Sequence, residues 1–186
     1  MIAPPDPPLS DGVVTLRPWS ERDVPAVAPL LDGDPEITRW METIPQPYRE
    51  SDARAWIERT LGYWREGSGA QFAITDAQND ALLGGIGIGW TDATHGVAEV
   101  GYWLTSKARG RGLTTRALRL ITQWTLGPLQ CQRLQLRADE RNIASQRVAE
   151  KAGFTREGVL RSVQFSARHN RRIDFVIFSQ LPTDAS

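Results

Sequence analysis

Cysteine, histidine and lysine are scarce in this chain of 186 residues. The single cysteine, Cys131, excludes an internal disulfide, and His95 and His169 are too few for the clustered ligands of a zinc site. No apolar run approaches the roughly 20 residues of a membrane-spanning helix, and the proline-rich start lacks the features of a secretory signal. We therefore expect a cytoplasmic protein with no metal, no disulfide and no membrane contact.

Neither sign of charge is in excess, because Lys+Arg and Asp+Glu both number 22. No overall field attracts nucleic acid, so we expect no direct nucleic-acid binding. The hydrophobic fraction of 40% and the charged fraction of 24% are ordinary for a globular protein. The length fits one domain, which we place at residues 12–182, behind a flexible proline-rich leader at residues 1–11.

Alternation of apolar residues and capping signals predict seven strands and five helices. The predicted strands are 13–17, 71–76, 82–90, 97–105, 133–138, 154–165 and 173–181. The predicted helices are 20–31, 35–41, 51–65, 112–126 and 142–152. This order indicates an α/β fold of the mixed α+β kind, in which helices cover a mixed sheet.

Glycines are frequent in the third predicted strand, between residues 84 and 89. Glycine weakens a strand, so the run indicates either bulges or a place where another group approaches the backbone closely. A simple packing role under a helix is the alternative.

A glycine-containing turn between a strand and a helix is the most informative stretch of the sequence. Gly110 and Gly112 precede the helix that begins near residue 112. Free N–H groups at a helix N-terminus bind anions, because the positive end of the helix dipole lies behind them. Arg109 and Arg111 could add charge-assisted hydrogen bonds. A diphosphate would fit this turn.

Three other interpretations of the turn are to be compared with this one. A P-loop requires Gly-x-x-x-x-Gly-Lys-Ser/Thr, and no such string occurs. A dinucleotide fingerprint requires a third glycine, where Thr115 stands, and an acidic residue about 20 positions later, where residues 127–131 stand. A purely structural role remains open, in which the glycines only turn the chain into the helix.

The string Lys107-x-x-Gly110-x-Gly112 resembles the acetyl-CoA pyrophosphate motif of the GNAT acyltransferase superfamily, Gln/Arg-x-x-Gly-x-Gly/Ala. Lys107 is a departure at its first position. Residues 139–154 contain Asn-x-x-Ser and Glu-Lys-x-Gly-Phe, which resemble the next segment of the family. Residues 98–104 and 171–174 are similar to the RimJ/RimL-like group, which acetylates protein N-termini. The resemblance is strong over residues 99–158 and weaker over residues 13–181.

The resemblance implies the GNAT fold, a mostly antiparallel twisted sheet of about seven strands with helices on both faces. Its fourth and fifth strands splay apart in a V, and the pantetheine arm of acetyl-CoA lies in the gap. The implied reaction is direct attack of a primary amine on acetyl-CoA in a ternary complex, without metal; a homodimer is left open. The implied cofactor-binding residues are Trp103, Leu104, Thr105, Lys107, Arg109, Gly110, Arg111, Gly112, Leu113, Thr114, Thr115, Asn142 and Lys151.

Two side chains are candidates for the chemistry. Strand alternation puts Glu99 on the same face as Gly101 and Trp103, so it could accept the proton of the amine directly or through water. The alternative is a carboxylate that only pairs with an arginine. The resemblance points to Ser145 as the proton donor to the leaving thiolate, since the tyrosine that many members place after this segment is absent. The alternative for Asn142 and Ser145 is a helix cap followed by a surface serine.

The acceptor site is less defined by the sequence. Trp40 and Tyr48 fall in the region that forms one wall of the acceptor cleft in the family, and Tyr102 is a third candidate; core packing is the alternative. A basic run could contact RNA or an acidic peptide, or form only a solvated hairpin. It comprises Arg161, Arg168, His169, Arg171 and Arg172.

The sequence therefore leaves three functions open. The first is a RimJ/RimL-type N-acetyltransferase that acts on a protein α-amine. The second is an N-acetyltransferase for a small amine, such as an antibiotic or a polyamine. The third is a regulatory module that binds acyl-CoA without turnover, which the missing tyrosine favours.

Overall fold

The computed structural model describes residues 1–185, which form one sheet flanked by helices. Its strands are β1 Leu9–Ser10, β2 Val14–Pro18, β3 Gly69–Asp76, β4 Leu82–Asp92, β5 Val97–Leu104, β6 Arg133–Asp139, β7 Thr155–Ser166 and β8 Arg171–Gln180. Its helices are α1 Val24–Asp32, α2 Pro35–Trp40, α3 Glu50–Glu66, α4 Leu113–Leu126 and α5 Ile143–Ala152. Short 3₁₀ turns lie at Glu21–Asp23, Ser106–Ala108 and Pro182–Ala185.

The sheet opens between β5 and β6. The strand order is β1-β2-β3-β4-β5-β6-β8-β7, and β5 with β6 is the parallel pair in an otherwise antiparallel sheet. These two strands pair only where Val97–Glu99 meets Arg133–Gln135 and then diverge. They are the fourth and fifth strands of the sequence prediction, so the predicted V-shaped splay and the mixed α/β fold are confirmed. The two-residue β1 is the additional strand.

The N-terminal segment makes contacts along its length. Leu9 pairs with Leu16 of β2, and the Ile2 amide donates a hydrogen bond to the Trp64 carbonyl at 2.9 Å. The Ile2 side chain is buried against the core. These contacts hold the start of the chain against the sheet and α3, while the flexibility predicted for residues 1–11 stays a prediction, as do the domain limits.

Local sequence explains where the helices begin and end. On α3 the buried residues Ala53, Ile57 and Trp64 share one face, and the helix ends at Gly67 with φ of 76°. On α5 the side chain of Asn142 caps the first turn, and Gly153 ends the helix with φ of 98°. No helix within residues 1–185 has both the length and the apolar character that crossing a bilayer requires.

Alternation along the strands divides the core between the two faces of the sheet. Phe72 of β3 and Val100 of β5 pack in the larger core with α4 and α5. Ala73 of β3 and Trp103 of β5 pack in the smaller core with α1, α2 and the first half of α3. Because side chains alternate along β5, Glu99 belongs to the face of Trp103.

Candidate active site

The turn before α4 leaves an open space above its backbone. Gly110 and Gly112 have φ of 75° and 73°, which side chains rarely adopt, and Gly112 is the N-cap of α4. A Cβ placed on either glycine would meet no atom within 4 Å. The glycines are therefore required by backbone conformation, and the space beside them is free for a ligand.

The amides of this turn are available as donors. Within residues 1–185, the N–H groups of residues 110–115 find no hydrogen-bond acceptor, and α4 extends for 14 residues behind them. The side chains of Lys107 and Arg111 are exposed beside the turn and form no ion pair in the described part of the chain. Unpaired amides, a helix dipole and free cations together suit a diphosphate.

Arg109, also predicted at the phosphate, makes a different contact. Its Nε and Nη2 donate to the Leu104 carbonyl at 3.1 and 2.9 Å, and Nη2 lies 2.5 Å from a carboxylate oxygen of Asp34. Asp34 is buried and caps the start of α2. Arg109 thus ties the end of β5 to the beginning of α2, and its role at the phosphate stays a prediction.

The remaining predicted donor-site residues divide by burial. The side chains of Trp103, Leu104, Thr105 and Leu113 are buried, so they can offer the cofactor only main-chain groups. Those of Thr114 and Thr115 are half-buried in the first turn of α4, while Lys151 is exposed near the end of α5.

Tyr102 and Ser145 meet at the gap between β5 and β6. The Tyr102 Oη lies 2.9 Å from the Ser145 Oγ and also donates to the Ser145 carbonyl at 3.2 Å. Burial raises the pKa of Tyr102 to about 12. Sequence reasoning placed Tyr102 at the acceptor and found no tyrosine near Ser145, because the two residues come from different elements 43 positions apart.

Asn142 serves as the cap that the alternative interpretation described. Its Oδ1 accepts the Ser145 N–H at 3.1 Å. Its Nδ2 has no acceptor within residues 1–185, which leaves two N–H donors beside the gap. The cap and the predicted contact with the cofactor arm are therefore compatible.

Glu99 lies where β5 and β6 separate. Its two carboxylate oxygens accept Arg137 Nε at 2.6 Å and Nη2 at 2.9 Å, and Gln135 Nε2 donates at 3.2 Å. The pairing with an arginine that was the alternative for Glu99 is thus present. A base at this position would act through water or after one of these bonds opens, and that role stays a prediction.

A cavity of about 910 Å³ joins these groups to the acceptor side. Glu99, Tyr102, Trp103, Asn142 and Ser145 border it, together with the predicted acceptor residues Trp40 and Tyr48. The Arg39 guanidinium stacks over the Trp40 ring at 4.8 Å, and burial raises the pKa of Tyr48 to about 12.

Sequence reasoning missed a wall of this cavity on α3. Trp56, Arg59 and Tyr63 line it at i, i+3 and i+7. The spacing indicates a second face of α3 beside the buried one. Nothing in the sequence shows that this second face lines a cavity.

Glycines form the floor of the cavity on β4 and β5. Residues 84–89 pair regularly, with Gly87 opposite Gly101, and the register shifts lie just beyond the two ends of the run. The space over Gly87 is filled by the Gln71 side chain. At Gly89 and Gly101 an added Cβ would meet nothing within 4 Å, and neither has a positive φ. The close approach predicted for the run is seen at Gly84 and Gly85, because an added Cβ would meet the Trp103 carbonyl at Gly84 and the Trp103 and Trp19 rings at Gly85.

The tip of the β7–β8 hairpin covers one end of the cavity. Ser166 bonds the Glu42 carboxylate, Arg168 donates to the Ile44 carbonyl at 3.2 Å, and His169 Nε2 lies 3.2 Å from the Arg39 carbonyl. Farther along, Arg171 pairs with Asp139 at 2.8 Å. Most of the basic run is therefore engaged in contacts within the chain.

A family comparison identifies this architecture. Residues 14–155 match the family model described as acetyltransferase (GNAT) domain. The chain belongs to the GNAT acetyltransferase family. As a GNAT acetyltransferase it uses acetyl-CoA as acyl donor and is an N-acetyltransferase, and the turn at residues 107–115 suits the diphosphate of that donor. Within residues 1–185 no three His, Cys, Asp or Glu side chains cluster as metal ligands.

Individual relatives agree with the family assignment. The chain is 28% identical over 169 residues to the uncharacterized N-acetyltransferase p20 of Bacillus licheniformis, covering 90% of this chain and 92% of that protein. It is 27% identical over 116 residues to the ribosomal-protein-serine acetyltransferase of Escherichia coli K12, covering 62% of this chain and 64% of that protein. Mycobacterium smegmatis RimJ in complex with CoA-disulfide has the same fold, with a TM-score of 0.84 and 23% identity. The match covers 93% of this chain and 84% of that one.

Proposed function

We propose that this GNAT acetyltransferase acetylates the α-amine of a protein N-terminus, of the ribosomal-protein type. The main observation behind the proposal is the open space at Gly89 and Gly101 on the sheet surface that borders the cavity. An extended peptide needs main-chain room along a sheet, and Gly89 and Gly101 provide it beside Glu99, which pairs with Gly89. An acceptor of the ribosomal-protein type would place the enzyme in the cytoplasm.

The charges around the cavity favour a peptide over a polyamine or an aminoglycoside. A polycation would be held by free carboxylates, and those of this cavity already accept hydrogen bonds within the protein, two of them from arginines. The pairs are Glu99 with Arg137, Asp139 with Arg171, Glu42 with Ser166 and Asp52 with the Arg49 amide. The similarity to the Escherichia coli ribosomal-protein-serine acetyltransferase points to the same acceptor class.

The residues around the gap have separate tasks in this reaction. The donor supplies an acetyl thioester. Main-chain groups near Trp103 and Leu104 hold its carbonyl oxygen as negative charge develops, while the amides of residues 110–115 fix the diphosphate. Glu99, directly or through water, receives the proton of the attacking amine. Ser145 faces the leaving sulfur.

An acceptor panel tests the proposal. Peptides that begin with serine, alanine or threonine, the same peptides with a blocked N-terminus and an internal lysine, spermidine and kanamycin would each be mixed with acetyl-CoA. We expect thiol release and a single acetyl group only with free peptide N-termini. Turnover of spermidine or kanamycin at higher kcat/KM than every peptide would reject the proposed acceptor.

A pair of glycine substitutions locates the peptide. In Gly89→Val the side chain enters the floor, so we expect the KM for the best peptide to rise about tenfold while the KM for acetyl-CoA stays within about twofold. Gly158→Val is the matched control, because Gly158 is also a strand glycine with open space around its Cβ position and lies outside the cavity. Equal effects of the two variants on peptide KM would contradict the placement of the acceptor.

A further inference from the structure

The contact between Tyr102 and Ser145 spans the open side of the splay. Tyr102 lies in the part of β5 that no longer pairs with β6, and Ser145 lies in the first turn of α5. Both residues border the cavity. Their hydroxyl groups, 2.9 Å apart, are thus placed where the pantetheine arm of a GNAT donor would end.

The two contacts of the Tyr102 hydroxyl share one hydrogen. That hydrogen can lie on the Ser145 carbonyl, with the Ser145 Oγ donating to Tyr102, or on the Ser145 Oγ itself. The Ser145 Oγ has no other partner within residues 1–185. In the second arrangement the hydrogen of Ser145 Oγ points away from Tyr102 and is free for a group in the cavity that both residues line.

We propose that Tyr102 is a positioning residue that turns the Ser145 hydroxyl hydrogen into the gap, where it donates a hydrogen bond to the sulfur that leaves the acetyl group. The proposal rests on the proposed role of Ser145. Tyr102 touches neither the acetyl carbon nor the amine in this assignment, and acts through Ser145.

The step balances with the pair acting as a hydrogen-bond donor. The amine nitrogen forms a bond to the acetyl carbon, the carbon–sulfur bond breaks, and the sulfur keeps the electron pair. The amine gives one proton to the base or to water, and the sulfur gains one from solvent. The pKa of a thiol is near 8.5, and burial raises the pKa of Tyr102 to about 12. Tyr102 therefore keeps its proton beside a thiolate. The pair stabilises the charge on sulfur without losing a proton.

The bound product CoA provides a readout that does not need an acceptor. A hydrogen bond from Ser145 to the thiolate lowers the pKa of the CoA thiol, which the pH dependence of its alkylation rate measures. We expect Tyr102→Phe and Ser145→Ala each to raise that pKa by about half to one unit, and the double variant to raise it no further. With a peptide acceptor, Tyr102→Phe should lower kcat about tenfold and leave the KM for acetyl-CoA within about twofold.

The outcomes separate this proposal from the function it rests on. Tyr63→Phe removes the hydroxyl of another cavity tyrosine and should leave the thiol pKa unchanged. A wild-type protein that binds no CoA would overturn both the acetyl transfer and the role of Tyr102. CoA binding with the same thiol pKa in wild type and Tyr102→Phe, or additive effects of the two single variants, would overturn the role of Tyr102 alone.

Discussion

The donor turn and the acceptor cavity are built in opposite ways. The donor turn at residues 107–115 is one contiguous segment that offers main-chain amides, two positive-φ glycines and exposed cations. The cavity is lined by residues from α2, α3, β4, β5, β6 and the β7–β8 hairpin. A diphosphate is the same in every donor, so one local turn suffices to bind it. An acceptor contacts side chains that are distant in the sequence, and those outside the gap between β5 and β6 can change without harming donor binding.

The largest effect is expected at Glu99, on the acceptor side. Glu99→Gln keeps the shape of the side chain and removes the group that would take the amine proton. We expect kcat with a peptide acceptor to fall about 100-fold to 1,000-fold, within the usual contribution of a general base. The KM for acetyl-CoA should change little, because Glu99 lies at the closed end of the splay and not at the donor turn. Steady-state kinetics with each substrate varied in turn gives both constants.

Arg137→Gln is the control, because it breaks the same ion pair and leaves the carboxylate in place. We expect it to lower kcat much less than Glu99→Gln does. Equal losses in the two variants would show that the ion pair, and not a base, is what the reaction needs from Glu99.

The second effect is expected at Gly112, on the donor side. Gly112→Val forces a branched side chain into φ of 73° and puts it in the open space above the turn. The backbone strain and the loss of room for the diphosphate should weaken CoA binding about 30-fold to 100-fold by calorimetry.

Gly12→Val separates strain from binding. Gly12 has φ of 81° and equally open surroundings, but it lies outside both sites. We expect it to lower the thermal midpoint by a similar amount and to leave CoA affinity unchanged. If Gly112→Val folds and binds CoA like the wild type, the donor turn is wrongly placed.

The same contrast explains what the sequence could predict. α4, α5 and the glycine turn depend on neighbours a few residues away, such as the Asn142 cap and the αL glycines, so local patterns were sufficient. β1 was missed because the two residues after Pro8 are too few to show periodicity, and their pairing with β2 makes them a strand.

Contacts between residues that are distant in the sequence could not be predicted from local patterns. The meeting of Tyr102 with Ser145 depends on how far β5 and β6 diverge, which no local pattern encodes. Arg109 stands inside the motif, yet its guanidinium reaches Asp34, which is 75 positions away in the chain. The glycine run was visible, but only the strand register shows that Gly89 and Gly101 lie diagonally across β4 and β5, beside Glu99.

Arg109 is the physical link between the two sides, and the smallest predicted effect belongs to it. Arg109→Gln leaves the buried Asp34 carboxylate without its cation and the Leu104 carbonyl without two donors. We expect the free energy of unfolding to fall by about 1–3 kcal/mol, and the thermal midpoint by about 2–4 °C for each kcal/mol. CoA affinity should fall only about threefold to fivefold, because the end of β5 shifts while the free amides remain.

Arg116→Gln removes a cation from the same region and gives the matched control. Its ion pair with Asp11 is solvent-exposed, so the expected loss of stability stays below about 1 kcal/mol. The two variants, compared by thermal unfolding and calorimetry, distinguish two roles for Arg109. If Arg109→Gln keeps the thermal midpoint of the wild type and weakens CoA binding as much as Gly112→Val does, then its guanidinium leaves Asp34 and binds the diphosphate. Arg109 would then belong to the donor turn alone, without its contact to Asp34 at the start of α2.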